Sequence, residues 1–266
     1  MDLFKYPRTP HLVGSGVQRG DEDMYVIPLR ELEGRYLVIE EKMDGANCAL
    51  RFDENGQLFL QSRGHFLTGG PRERQFHLFK QWSYRYMQEL YEVLEDRYIL
   101  FGEWLYAKHT VFYTELPHYF LEFDIYDTAR SIFLSTEQRR KLLRSLPFIV
   151  SVKVLTEGIY EELPPLPELI GPSHFIGAGV LERLQELCIS RGLEFERVLE
   201  ETDTSGLMEG LYIKVEEEGV VKERYKYVRA GFLQSLLSSG SHWMERPILP
   251  NQLRADVSLF GGDDNV

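Results

Sequence analysis

Short runs of apolar residues, bounded by polar turns, recur along this chain and predict β-strands. The runs are rich in Val, Ile, Leu and aromatic residues, as expected for strands with at least one buried face. Between the second and third runs, residues 53–56 (Asp-Glu-Asn-Gly) predict a hairpin turn, and the last two runs predict a closing antiparallel pair. The seven runs span residues 36–41, 48–52, 57–62, 98–101, 119–126, 211–215 and 220–228.

Helices are predicted between these strands. Residues 72–95 carry apolar side chains at spacings of three or four, which predicts one long amphipathic helix. Residues 135–138 (Ser-Thr-Glu-Gln) form a capping sequence that opens a helix ending near residue 146. Residues 180–191 follow a loop rich in Pro and Gly and predict another helix, and 231–237 predict a short one. The chain is therefore predicted to be a mixed α+β protein of mostly antiparallel sheets flanked by helices.

Composition narrows the class of protein. The 266 residues are 43% apolar and 27% charged, which is ordinary for a soluble globular protein. No apolar run approaches the ~20 residues of a membrane helix, and the first residues lack the pattern of a signal peptide. The two cysteines, Cys48 and Cys188, are too few for a disulfide framework or a zinc site. We expect a cytoplasmic protein with no membrane contact.

The net charge of −12 argues at first against a nucleic-acid partner, because phosphate contacts require Lys and Arg. The acidity is concentrated, however. Residues 153–218 contain 5 basic and 15 acidic side chains. The rest of the chain is close to neutral and has basic clusters, one of them at residues 222–229. A nucleic-acid partner therefore remains possible.

The residues with the clearest chemical potential begin at the end of the first predicted strand. Residues 41–47 read Glu-Lys-Met-Asp-Gly-Ala-Asn, so a β-branched run delivers Lys42 into a turn before a second strand. A lysine in that position is a candidate covalent nucleophile. The Lys-x-Asp-Gly motif is weak alone, since a solvated lysine at a strand end is common. Further motifs follow in order at 62–64 (Ser-Arg-Gly), 101–104 (Phe-Gly-Glu-Trp), 121–126 (Leu-Glu-Phe-Asp-Ile-Tyr), 209–214 (Glu-Gly-Leu-Tyr-Ile-Lys) and 221–226 (Val-Lys-Glu-Arg-Tyr-Lys).

This ordered set, from Glu41 to Lys226, resembles the six motifs of the covalent nucleotidyltransferases, which are polynucleotide ligases and messenger-RNA capping enzymes. Asn47 is the most discriminating position, because the RNA ligase 2-like branch has Asn there and the other branches tend to have Arg. The resemblance implies a nucleotidyltransferase (ATP-grasp-like ligase) fold. It also implies an ATP-dependent RNA ligase of RNA repair that joins 5′-phosphate and 3′-hydroxyl ends through lysyl-AMP and RNA-adenylate intermediates.

The reaction assigns roles to the motif residues. Lys42 would attack the α-phosphorus of ATP and hold AMP covalently, which requires a depressed lysine pKa and therefore nearby cations. Glu103 and Glu209 are oxygen ligands suited to Mg²⁺ or Mn²⁺, although the resemblance also offers Glu103 as a ribose contact. The final motif has Arg-x-Lys where the family has Lys-x-Lys. Which of Lys222, Arg224 and Lys226 contacts the α-phosphate is therefore left open.

The resemblance also assigns the remaining nucleotide contacts. Phe123 would stack on adenine, Arg63 would contact the ribose or a phosphate, and Glu41 would form part of the base pocket. Asn47 would contact the RNA end or a phosphate. The cofactor-binding residues are thus predicted to be Glu41, Asp44, Gly45, Asn47, Arg63, Glu103, Phe123 and Lys226.

The domain organisation is predicted from the motif spacing. Residues 1–230 would form the nucleotidyltransferase (adenylation) domain, with an acidic insertion at about 153–207 that is most simply a solvated module. Residues 231–266 would be a short extension packed on that domain. Forty residues after Lys226 are short for an oligonucleotide-binding barrel, so we expect no such C-terminal barrel. A compact ligase of this kind is expected to work with an end-healing kinase or phosphatase.

Two alternatives stay open at this point. The same covalent chemistry serves a DNA ligase or a capping-type enzyme, which would differ in acceptor or in the use of GTP. The acidity of the chain also fits a catalytically inactive nucleotide-binding adaptor, which would bind ATP without forming a covalent adduct. Each single residue has a simpler interpretation as well, such as core packing for Phe123 or a surface carboxylate for Glu103.

Overall fold

The computed structural model of the chain describes residues 2–17, 25–238 and 247–261, apart from the side chains at 71–72 and 235–238. The strands within these residues are His11–Leu12 (β1), Val26–Ile27 (β2), Tyr36–Lys42 (β3), Ala46–Phe52 (β4), Leu58–Ser62 (β5), Tyr98–Trp104 (β6), Phe120–Asp127 (β7), Ile132–Phe133 (β8), Val150–Ser151 (β9), Val154–Ile159 (β10), Gly210–Glu217 (β11) and Val220–Val228 (β12). The α-helices are His77–Arg85 (α1), Met87–Leu94 (α2), Thr136–Leu142 (α3), Val180–Arg191 (α4), Phe195–Glu200 (α5) and Ala230–Ser238 (α6). Short 3-10 helices lie at Leu29–Glu31, Pro71–Phe76, Leu143–Ser145 and Leu166–Leu169.

Two sheets form the body of the protein. The first has the order β10-β3-β11-β12-β1-β2, and the second has the order β5-β4-β6-β7-β8, with β9 pairing beside β7. Most pairs are antiparallel, and β1 runs parallel to β12 and β2. Neither sheet closes into a barrel within the described residues. The predicted α+β architecture of mostly antiparallel sheets flanked by helices is confirmed.

Three hydrophobic clusters hold the layers together. Between the sheets, Phe101 and Phe123 of the second sheet belong to one cluster with Val221 of the first. Helices α1 and α2 cover the outer face of the second sheet, where Trp82 is fully buried. The outer face of the first sheet packs against Leu166, which comes from the segment after β10. Each sheet is therefore buried on both faces over much of its length, which explains the near-continuous apolar runs.

The structure corrects two predictions. The helix predicted over 72–95 is divided into a 3-10 turn and two α-helices, because the backbone leaves helical geometry at Tyr86. The Tyr86 ring stacks on Phe148 with centroids 4.2 Å apart. The acidic segment 153–207 is not a solvated module, since β10 pairs with β3 and Leu166 enters the core.

The segment after β12 packs on the main body where it is described. Helix α6 begins at Ala230, one residue before the predicted start, and residues 247–261 run across the loop after β6. Buried Asn251 accepts a hydrogen bond from the Tyr113 amide at 2.9 Å and donates to the Leu105 carbonyl at 2.7 Å. Residues 239–246 and 262–266 of the predicted extension lie outside the described residues. The boundaries at 230 and 231 remain a prediction. Among the described helices, none combines the length and apolarity that crossing a bilayer requires.

Candidate active site

The turn between β3 and β4 is held rigidly against the loop after β6. Asp44 Oδ2 accepts hydrogen bonds from the backbone amides of Thr110 and Val111 at 2.7 and 2.8 Å, and the Asp44 amide donates to Tyr113 OH. Gly45 packs so closely that an added Cβ would lie 2.8 Å from the Trp104 carbonyl oxygen. The Asp-Gly pair therefore fixes the turn that follows Lys42.

A cavity of about 620 Å³ opens between the two sheets at this turn. Ten of the twelve predicted site residues line it, whereas Lys222 and Arg224 do not. Those that line it are Glu41, Lys42, Asp44, Gly45, Asn47, Arg63, Glu103, Phe123, Glu209 and Lys226.

Lys42 lies among carboxylates. Its Nζ is 2.7 Å from Glu209 Oε1, and the Glu209 side chain is only 2% exposed. Burial alone lowers the pKa of Lys42, but attraction from Glu209, Glu103 and Asp44 outweighs burial and raises that pKa above its ordinary value. The protein's own groups therefore favour the ammonium form. The expected lowering of this pKa by a bound metal ion together with the basic strand stays a prediction.

The pKa values of the two neighbouring carboxyl groups are raised, whereas a stable ion pair with a lysine would lower them. Burial raises the pKa of Glu103 to about 8, with repulsion from Glu209 and Asp44 opposing the attraction of Lys42. Burial likewise raises the pKa of Glu209 to about 7, again against the attraction of Lys42. The attraction of Lys42 therefore does not offset the burial and mutual repulsion of these acidic groups.

This set of acidic groups fits a divalent cation. Glu209 Oε2 is buried and has no hydrogen-bond partner among the described residues. Mg²⁺ is commonly held by one or two carboxylates together with substrate phosphates and water, so Glu209 and Glu103 form a suitable donor set. Groups of three or more His, Cys, Asp or Glu side chains able to hold a metal without a substrate are not found in the described residues.

The three basic residues of the final motif separate along β12. Lys226 lines the cavity. Arg224 points to the same side of the strand but donates from Nε to Asp124 Oδ2 at 2.8 Å, and its guanidinium lies 3.8 Å from the Phe133 ring centroid. Lys222 is 39% exposed and lies 3.9 Å from Glu218. Only Lys226 of these three lines the cavity, because Arg224 is neutralised between the sheets and Lys222 lies farther along the strand.

Phe123 and Tyr212 form an aromatic wall. Their ring centroids are 6.4 Å apart with an interplanar angle of 43°. The Phe123 carbonyl accepts a hydrogen bond from buried Lys214, and the Tyr6 ring contacts Phe123 edge-on at 5.2 Å. The Phe123 ring is therefore fixed both by its backbone and by its neighbour.

The Glu41 carboxylate is engaged by the acidic segment. Its Oε1 accepts from Ser173 Oγ at 2.6 Å, and its Oε2 lies 2.8 Å from His174 Nδ1 and 3.2 Å from the His174 amide. Glu41 lines the cavity, yet its carboxylate is 1% exposed and is directed to these partners. The Glu41 carboxylate therefore binds the segment that contains Ser173 and His174, a contact that the predicted role in the base pocket did not include.

Several cavity residues were missed by the sequence reasoning. Tyr6 and Thr9 come from the N-terminal segment, Val152 precedes β10, and Phe232 belongs to α6. Tyr212 lies inside a recognised motif, but its ring was not assigned a role. The alternation of apolar residues at positions 4 and 6 was the available signal for Tyr6.

Comparisons with known proteins identify the family and the fold. A family model described as RNA ligase matches residues 35–228. Among solved structures, a lysine-to-alanine variant of the Naegleria gruberi RNA ligase with ATP and Mn has a TM-score of 0.52 at 16% identity, covering 79% of this chain and 54% of that chain. A lysine-to-methionine variant of the same ligase with AMP and Mn has a TM-score of 0.50 at 17% identity, covering 77% and 53%. The chain spans about half the length of these ligase chains, and the likeness shows a shared fold. No curated protein sequence matches it.

Proposed function

Because the chain belongs to the RNA ligase family, we propose that it is an ATP-dependent RNA ligase that joins 5′-phosphate and 3′-hydroxyl ends of RNA. The reaction would pass through lysyl-AMP and RNA-adenylate intermediates. The observation that carries the proposal is the 2.7 Å contact between Lys42 and buried Glu209 at the wall of a nucleotide-sized cavity. The ATP and AMP in the solved Naegleria structures support the same choice of nucleotide.

In the first step, the Lys42 amine would form a bond to the α-phosphorus as the bond to the pyrophosphate oxygen breaks. The raised pKa of Lys42 means that this group starts as an ammonium and must lose a proton. Glu209 Oε1 lies 2.7 Å from Lys42 Nζ, so this carboxylate is placed to accept the proton. Lys42 would then be the nucleophile and Glu209 its proton acceptor.

The other cavity residues would bind and orient ATP. Phe123 and Tyr212 line the cavity and would present aromatic surface to the base, and Lys226 would bring positive charge to the phosphates from the neighbouring strand. Mg²⁺ or Mn²⁺, held by Glu209 and Glu103, would add positive charge opposite the phosphates. Asn47 lies on β4 and Arg63 directly follows β5, and both line the cavity; Arg63 would contact the ribose or a phosphate, and Asn47 the RNA end or a phosphate.

The later steps define the RNA substrate. The RNA 5′-phosphate would attack the AMP phosphorus and free Lys42, and the 3′-hydroxyl would then attack the RNA-adenylate and release AMP. Both ends must carry these groups before ligation. An end-healing kinase or phosphatase is therefore the proposed partner activity in RNA repair.

The test is covalent labelling with α-labelled ATP and Mg²⁺ or Mn²⁺. Wild-type protein should retain label after denaturation, and the label should be released by acid and retained in alkali, as expected of a phosphorus–nitrogen bond. Lys42→Arg keeps the charge but should not label. Lys222→Ala changes a basic residue outside the cavity and should label like wild type. Persistent labelling of the Lys42→Arg variant would contradict the proposed nucleophile.

Three further measurements separate the alternatives. Labelling by GTP rather than ATP would favour a capping-type enzyme. Faster sealing of nicked DNA than of nicked RNA would favour a DNA ligase. ATP binding without an adduct or pyrophosphate release would favour the inactive adaptor.

A further inference from the structure

Three hydroxyl groups form a row on the wall of the cavity beside the aromatic pair. Thr9 Oγ1 lies 3.0 Å from Tyr212 OH, and Tyr212 OH lies 2.8 Å from Tyr6 OH. The row ends at the buried carboxylate of Asp124, which accepts from Tyr6 OH. All three hydroxyl-bearing residues line the cavity, and Phe123 contacts both Tyr6 and Tyr212. The row therefore lies next to the ring that would stack on the base.

The charge on Asp124 fixes the direction of every hydrogen bond in the row. Burial alone would raise the pKa of Asp124, but Arg224, Lys214 and Arg139 hold it at about 2, so the group is a carboxylate at neutral pH. Arg224 Nε lies 2.8 Å from Oδ2, and Lys214 Nζ lies 3.4 Å from Oδ1. A carboxylate only accepts hydrogen bonds, so Tyr6 must donate to it.

The remaining directions follow because each hydroxyl has a single proton. Tyr6 uses its proton on Asp124, so Tyr212 must be the donor in the contact between the two tyrosines. Tyr212 then has no proton left for Thr9, so Thr9 must donate to Tyr212. All three protons point along the row toward Asp124, and only oxygen lone pairs remain for a ligand.

We propose that this row, ending at Thr9, is an acceptor-only edge that selects ATP over nucleotides whose purine carries an oxo group at position 6. Adenine offers an amine donor at that position, whereas guanine and hypoxanthine offer an oxygen acceptor. An amine would find lone pairs to bond, and an oxo group would face them unpaired. The proposal rests on the proposed function, since it concerns the nucleotide that would react with Lys42.

The row makes opposite predictions for two substitutions. Thr9→Val removes the terminal oxygen, so the use of ATP should fall by about tenfold with no gain for inosine triphosphate. Tyr212→Phe keeps the ring but releases the Thr9 proton, which then becomes free to donate to an oxo group. This variant should therefore use inosine triphosphate about tenfold better than wild type does.

Inosine triphosphate is the matched probe, because it lacks the 2-amine of GTP and differs from ATP only in the 6-oxo group and the N1 proton that accompanies it. Rates of adduct formation with ATP and with inosine triphosphate should be compared for wild type, Thr9→Val and Tyr212→Phe. Thr9→Ser restores the hydroxyl and should restore the wild-type preference. Tyr84→Phe removes a tyrosine hydroxyl from an exposed site and should change neither rate. Thermal unfolding of each variant identifies any loss of folded protein.

Equilibrium binding of the two nucleotides to Lys42→Ala protein provides a second readout without chemistry. The proposal is supported if Lys42→Ala protein binds ATP more tightly than inosine triphosphate and the double variant Lys42→Ala/Tyr212→Phe does not. This holds even if the wild-type protein forms no adduct, in which case only the proposed function fails. Equal binding of both nucleotides to the Lys42→Ala protein overturns the proposal. The proposal is also overturned if Thr9→Val and Tyr212→Phe each change the rates of adduct formation with ATP and with inosine triphosphate by the same factor. The row would then have no role in reading the base.

Discussion

Replacing Arg224 with methionine separates a structural role for this residue from a role in binding phosphate. Arg224 was one of three candidates for the α-phosphate contact, yet its side chain is 10% exposed and pairs with fully buried Asp124. Methionine has a similar length and no charge. The Arg224→Met variant would therefore leave the Asp124 carboxylate buried without its closest cation, while Lys214 would remain 3.4 Å away.

The expected loss of stability is large. Removing one partner of a buried ion pair typically costs about 3–5 kcal/mol, and the lost contact with the Phe133 ring would add about 1 kcal/mol. The pKa of Asp124, held at about 2 against an ordinary 3.8, gives an independent estimate of about 2.4 kcal/mol for its ionised state. A cost of a few kcal/mol is therefore expected at pH 7.

The pH dependence has a defined sign. Because the pKa of Asp124 is depressed in the folded state, its contribution is fully present above about pH 4 and is lost as the pH falls through about 2. About half of it should be lost at pH 3. In Arg224→Met the pKa of Asp124 should rise, so the difference in stability from wild type should narrow between pH 7 and pH 3.

Urea unfolding at pH 7, 4 and 3 measures both quantities. Arg140→Met is the matched control, because Arg140 is 53% exposed and forms a surface pair with Glu157; its cost should be below about 1 kcal/mol. An Arg224→Met protein as stable as wild type at pH 7, yet unable to form the protein–AMP adduct, would refute the reasoning. Arg224 would then act on the nucleotide.

Three further predictions concern the cavity. Mn²⁺ affinity, measured calorimetrically, should rise by more than about tenfold between pH 6 and 8, because Glu209 and Glu103 must lose their protons to bind it, and Glu209→Gln should flatten this rise. Ser173→Ala should slow adduct formation with little change in the apparent ATP affinity, since it loosens Glu41 beside Lys42; unchanged single-turnover rates would contradict this. Gly45→Ala should lower the unfolding midpoint in thermal melts by several degrees, because the added Cβ meets the Trp104 carbonyl.

The strand pattern and the order of the motifs could be predicted from the sequence because both are local. Lys42, Glu103 and Glu209 each lie at or beside the end of an apolar run, and strand ends at one edge of two facing sheets come together. The family match over 35–228 agrees with that part of the interpretation. Which residues line one cavity therefore followed largely from where the strands end.

The contacts that decide each residue's role are long-range and could not be read from local pattern. Arg224 and Lys226 are two residues apart on the same side of β12, and only the stacking of the second sheet brings Asp124, 100 positions earlier, against one of them. Glu41 meets Ser173 across 132 positions. Local alternation determines which side a residue faces, but not which charged partner lies there.

The N-terminal segment shows the same limit. Tyr6 reaches Asp124 across 118 positions and Tyr212 across 206. The apolar pattern of the N-terminal segment is too short to predict that this segment completes the cavity wall. The broken helix at Tyr86 has a similar cause, because the stacking partner Phe148 is distant in the chain.

The central claim is that Lys42 becomes covalently bonded to AMP, and peptide mass spectrometry after incubation with ATP and Mn²⁺ tests it most directly. The account predicts one AMP per chain, carried by the peptide that contains Lys42 and absent from the Lys42→Arg variant. AMP on another residue, such as Lys226, or unmodified protein that still releases pyrophosphate, would contradict it.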